Sequence, residues 1–220
     1  MPPHFFDLHI LIIEPIFTLV TVIFCFLIYF KTKESYDLTR YKGIGYFRDA
    51  FLFFGLSYVL RFVFSLVFFS TIVFDLIPSR EIFSPFFIFL LGYFSTMGIF
   101  YLIFSLVWKK FNNRNMLIFG HSIAVLLSVI SFITRSHMMI IYLQCILLVI
   151  AVVLSFVMHM GRKKLSKTKL LYLLVAGLWL INLLVIDRRK PFSSGLDIFF
   201  EAVSLAVFAV IYHKILKWIK

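Results

Sequence analysis

Glu14, Arg61 and Glu201 each lie inside a long run of apolar residues. A charge in such surroundings is costly unless it is paired, so it marks an ion pair, a ligand or ion site, or a proton relay. Spacing widens each of the three into a stripe. Ser57 and Ser65 stand four residues before and after Arg61, and Tyr58 stands three before it. All four share one face of a helix. Glu14, Thr18, Thr21 and Cys25 follow the same helical rhythm, as do Asp197, Glu201 and Ser204. Gly92, Ser95, Thr96 and Ser105 add small residues of the kind that let helices approach closely. An arginine side chain is long enough to reach a carboxylate several ångströms away. Arg61 is therefore expected to pair with Glu14 or Glu201, and the candidate site is Arg61, Glu14, Glu201, Ser57, Ser65, Tyr58 and Asp197.

Other chemistries find little support. No HExxH, GxSxG, P-loop or GxGxxG string occurs, and no Ser, His and acid stand at a recognisable catalytic spacing. An enzyme is not expected. Cys25 and Cys145 are isolated in apolar runs, and neither His121 nor His159 has a metal-ligating partner one turn away. No metal and no cofactor is expected. Gln144 and Asn182 read as hydrogen-bonding groups between helices.

The elements that must carry these residues follow from composition. Of 220 residues, 62% are hydrophobic and 15% charged. Soluble domains run at about 45–50% and roughly 25%. No soluble fold of this length buries so much apolar side chain, whereas a bilayer accepts it. A spanning helix takes about 20 apolar residues, and seven windows qualify, near 8–30, 45–73, 83–107, 115–134, 137–159, 168–186 and 196–216. Pro78, Pro85, Asn112, Asn113, Arg135, Pro191 and Gly195 punctuate the junctions. The stretches between are too short to fold, so residues 1–220 form a single transmembrane domain. The expected class is all-α, a polytopic bundle of about seven transmembrane helices.

The net charge of +12 suggests nucleic acid only in a soluble protein. Here the basic residues gather between apolar runs, which suits the anionic inner face of a membrane instead. Fifteen lysines and arginines fall in the first, third and fifth loops and at the C-terminus, among them Lys31, Arg40, Lys109, Arg162 and Lys217. Five fall on the other side: Arg80, Arg135, Arg188, Arg189 and Lys190. Positive loops stay inside, which places the N-terminus outside and the C-terminus in the cytoplasm of a plasma-membrane protein. Trp108, Trp218, Tyr29, Tyr41, Tyr46 and Tyr212 fall near the expected interfaces. The topology matches that of rhodopsin-like proteins, but helix seven has no lysine before Lys214, which argues against a retinal Schiff base.

The function expected from these residues is a non-enzymatic membrane module. It would sense a small ligand or ion in the outer half of the bundle and signal through a cytoplasmic protein bound at the fifth loop, Arg162 to Lys169. Its other partners are the lipid bilayer and anionic lipid at the cytoplasmic loops. The alternatives are a small transporter or channel subunit and a structural subunit with no ligand. Orientation is testable on its own: reporter fusions at Lys220 and at Arg162 are expected to read cytoplasmic, and a tag at Met1 to read external. A reporter at Lys220 that reads external reverses the topology.

Overall fold

The structure, a computed structural model, describes residues 13–74, 80–109, 113–134, 137–158, 167–186 and 194–219. Among them are seven helices and no strand: α1 (Glu14–Thr39), α2 (Lys42–Phe74), α3 (Arg80–Val107), α4 (Asn113–Thr134), α5 (His137–Met158), α6 (Lys167–Ile186) and α7 (Ser194–Ile219). Six are long and apolar enough to cross a membrane, and α6 contributes a shorter apolar stretch, Leu170–Leu183. The 20 residues of α6 reach about 30 Å at the helical rise. The protein is a multi-pass helical membrane bundle.

Local chemistry sets the helix ends. Pro15 stands at the start of α1, where its missing N–H costs nothing. The helix then runs to Thr39, nine residues beyond the window at 8–30. Its last turns satisfy their polar groups locally. The Thr32 hydroxyl donates to the Ile28 carbonyl at 2.7 Å, that of Thr39 donates to the Ser35 carbonyl at 2.8 Å, and Lys31 pairs with Glu34 at 2.7 Å. Lys31 and Lys33 therefore emerge on a helix and not in a loop. Arg40 ends α1 in the left-handed region, φ 52°, with its N–H bonded to the Tyr36 carbonyl at 2.7 Å. After Tyr41 the chain turns directly into α2. Pro85, expected at a junction, lies within α3. Standing past the first turn, it removes the backbone hydrogen bond to the Glu81 carbonyl. Pro78, Arg188 and the fifth loop to Ser166 lie outside the described residues.

The packing is a closed ring with one helix outside it. Neighbouring contacts run α1·α2, α2·α3, α3·α5, α5·α6, α6·α7 and back from α7 to α1, while α4 packs on α3 and, less, on α5. Side chains fill the ring. Phe54 of α2 lies against Trp179 of α6, with centroids 3.9 Å apart, and against Phe208 of α7 at 6.0 Å. All three are buried. The outer faces are apolar: Ile118, Phe119, Leu126 and Ile133 of α4 are exposed, as are Tyr142, Ile146 and Val149 of α5. A bilayer wets such faces without cost.

Close approach inside the ring depends on Gly98 of α3. A Cβ there would stand 2.4 Å from the Trp179 ring and 3.4 Å from the Ala50 carbonyl. The ring is held by Phe54 and has little room to retreat. Gly177 of α6, in contrast, has nothing within 4 Å of a built Cβ. Gly98→Ala is expected to destabilise the protein by about 1–3 kcal/mol. Gly177→Ala is expected to be neutral or stabilising by up to about 1 kcal/mol, from helix propensity. Thermal unfolding of both variants in one detergent checks the contrast.

Candidate functional site

An arginine–carboxylate pair of the expected kind is present, between Arg61 and Glu14. Arg61 Nη2 lies 3.5 Å from Glu14 Oε1, and the two side chains are 9% and 5% exposed. Burial of this degree at membrane depth is tolerated because each charge faces the other. The separation exceeds the roughly 2.7–2.9 Å of a tight charge-assisted hydrogen bond, so this contact is an ion pair and not a forked clamp. The geometry comes from the helices. Glu14 opens α1, and Arg61 stands well along α2 in the antiparallel hairpin, so the end of one helix meets the interior of the next.

Tyr58 carries the cluster across the ring. The Arg61 guanidinium lies 5.5 Å from the centroid of its ring, one turn away on α2. The Tyr58 hydroxyl donates to Asn182 Oδ1 on α6. Asn182 Nδ2 donates to the Leu178 carbonyl at 2.8 Å and meets Ser204 Oγ of α7 at 3.1 Å. A carbonyl only accepts, so Leu178 fixes which way the amide points. The amide oxygen then faces Tyr58, which must be the donor. Four helices are thereby joined through Glu14, Arg61, Tyr58, Asn182 and Ser204.

The remaining expected residues divide. Ser57 is buried, with its hydroxyl donating to the Phe54 carbonyl at 2.7 Å. Ser65 is buried one turn beyond Arg61. Glu201 is 3% exposed on α7, and Tyr58 lies within electrostatic reach of both Glu201 and Arg61. The Asp197 side chain lies outside the described residues.

A second polar cluster stands on the other side of the ring. Gln144 Nε2 of α5 donates to Ser95 Oγ at 2.5 Å and Thr96 Oγ1 at 3.2 Å on α3. Between the two clusters is a cavity of about 20 Å³, lined in part by Ser57, Tyr58, Arg61, Ser95, Gln144 and Asn182. Two further pairs join helices elsewhere. Tyr93 Oη meets His121 Nδ1 at 2.8 Å, and Ser105 Oγ meets Tyr172 Oη at 2.9 Å. His121 thus has a partner on α3, which no spacing within α4 reveals. No group of three or more metal-ligating side chains occurs among the described residues. Cys25 is buried and Cys145 half-buried, and both are free thiols.

No protein-family model matches the chain, and no solved structure matches it. The chain is similar to a protein of Archaeoglobus fulgidus, 28% identical over 222 residues that cover 99% of this chain and 97% of the other. That protein is described only as uncharacterized. The likeness spans all seven helices and brings no activity with it.

The Asn182 junction makes a directional prediction. Asn182→Leu leaves the buried Tyr58 hydroxyl without its acceptor, at a cost of about 1–3 kcal/mol. Tyr58→Phe made in that background removes the stranded hydroxyl and is expected to recover part of the loss. Unfolding of the three variants in detergent checks the order. A double variant less stable than Asn182→Leu overturns the assigned donor and acceptor.

Proposed function

We propose that the chain is a non-enzymatic structural subunit of a plasma membrane, and that its polar core locks helices in register. The observation that carries this reading is the Arg61–Glu14 pair, 3.5 Å apart, with both side chains more than nine-tenths buried. The cavity beside it measures about 20 Å³, whereas pockets for small organic ligands run to about 300–1,000 Å³. Sensing or transport of such a ligand beside this pair needs more room than that cavity has. A lock needs none. Buried polar groups of this kind favour one arrangement of helices, because each alternative register strands a charge or an amide.

The basic cytoplasmic ends support a membrane-held scaffold. Tyr41 and Trp108 meet edge to face at 4.6 Å, and the Lys109 ammonium lies 5.8 Å from the first ring and 5.7 Å from the second. Amphipathic rings with a lysine above them suit the headgroup level, and anionic lipid is the partner we assign to that surface. Any protein partner at the fifth loop remains part of the proposal, on charge alone.

A double-mutant cycle tests the lock. Arg61→Leu and Glu14→Gln are each expected to cost about 3–5 kcal/mol, the loss seen when one member of a buried pair is removed. The double variant is expected to cost less than the sum by about 0.5–3 kcal/mol. Additive losses in reversible unfolding would mean that the two residues do not act as a pair, and the locking role would fall.

A further inference from the structure

We propose that the cavity between α2, α3, α5 and α6 is a binding site for one water molecule, held by the Arg61 guanidinium and the hydroxyls of Ser57 and Tyr58. The first observation is a buried donor. Arg61 Nη1 has no hydrogen-bond partner among the described residues, although the residue is only 8% exposed. Burying a charged donor without an acceptor is among the costlier arrangements in a protein interior. Arg61 lines the cavity, so an acceptor there lies in its reach.

The second observation is size. A volume of about 20 Å³ exceeds the roughly 10–15 Å³ that one water needs, and leaves no room for a second.

The third is hydrogen-bond accounting among the lining groups. Ser57 and Ser95 already donate to the carbonyls of Phe54 and Leu91. Tyr58 donates to Asn182, whose amide nitrogen is turned to Leu178 and Ser204. The Gln144 nitrogen is turned to Ser95 and Thr96. Among these donors, Arg61 Nη1 alone keeps hydrogens to give, while the hydroxyl oxygens of Ser57 and Tyr58 keep lone pairs to accept. A molecule that accepts from the guanidinium and donates to a hydroxyl matches this set. An anion finds one donor group, already neutralised by Glu14, and a metal cation is repelled by the guanidinium. Water fits both demands.

The inference rests on the cavity and not on the locking role. Its test is water-edited solid-state NMR on the full chain in lipid bilayers, with labelled arginine and tyrosine. Magnetisation is expected to pass from water to the Arg61 guanidinium and the Tyr58 ring, and to persist when a membrane-impermeant paramagnetic chelate quenches bulk water. Leu91→Phe, which fills the cavity from α3, is expected to abolish that transfer while the Glu14–Arg61 coupling remains. Absence of transfer in the unmodified chain overturns the proposal. So does transfer that the chelate removes, because the cavity would then be a crevice open to solvent. A dry cavity with the coupling intact discards the water and leaves the lock standing.

Discussion

The bilayer's intolerance of an unpaired charge is the constraint on which this structure turns. Arg61 is the one charged residue between Asp49 and the end of α2 at Phe74. Lipid offers its guanidinium nothing. Glu14 answers it from the start of α1, which fixes how far α1 and α2 can slide against each other. Sliding α1 by one turn would carry the acid about 5.4 Å along the helix axis and out of contact with Arg61. The two-residue connection at Arg40 and Tyr41 acts at the other end of the hairpin. Together the ion pair and the turn leave that hairpin one register.

From there the polar chain divides its work by distance. Within a hairpin, helices meet directly and small residues suffice: Gly55 of α2 would place a Cβ 3.1 Å from that of Cys25 on α1. Across the ring, long side chains are needed. Tyr58 reaches Asn182, and Phe54 reaches Trp179, because α2 and α6 are not adjacent. The aromatic pair fills volume with little directional demand. The Tyr58–Asn182 bond is directional, and a hydroxyl stranded in the ring would be costly. Packing brings α6 to α2, and hydrogen bonding decides at which residue they meet.

Much of this was legible in the sequence, and what was missed has a common cause. The fold class was plain because 20-residue apolar windows have few other uses. Arg61 with an acid partner was legible because membranes make isolated charges conspicuous. That Glu14 lies against it was not, since Glu14 and Glu201 stand at similar expected depths and the order of helices around the ring is not written in local sequence. The end of α1 was misplaced because hydropathy falls at Lys31, while the helix continues on hydrogen bonds from Thr32 and Thr39 that hydropathy does not register. The Tyr93–His121 and Ser105–Tyr172 pairs join residues 28 and 67 positions apart. No local periodicity contains them.

The position of α4 bears on the proposed lock. α4 stands outside the ring, and the ring closes from α3 to α5 without it. It is also the helix that takes no part in either polar cluster described above. Its contacts to α3 are aromatic and small-residue packing, including Gly120 set 2.7 Å, as a built Cβ, from the Phe104 ring, with the His121 pair as its polar link. Helices that must be ordered around a closed ring carry charges and amides, and the helix that need only lean on the ring is held mainly by shape. Ser128 and Ser131 of α4 are buried as well, but the Arg61–Glu14 pair and the Asn182 and Gln144 amide bonds all lie within the ring. Within the ring an ion pair and two side-chain amides tie neighbouring and opposite helices together, which is the work the proposed lock assigns to them.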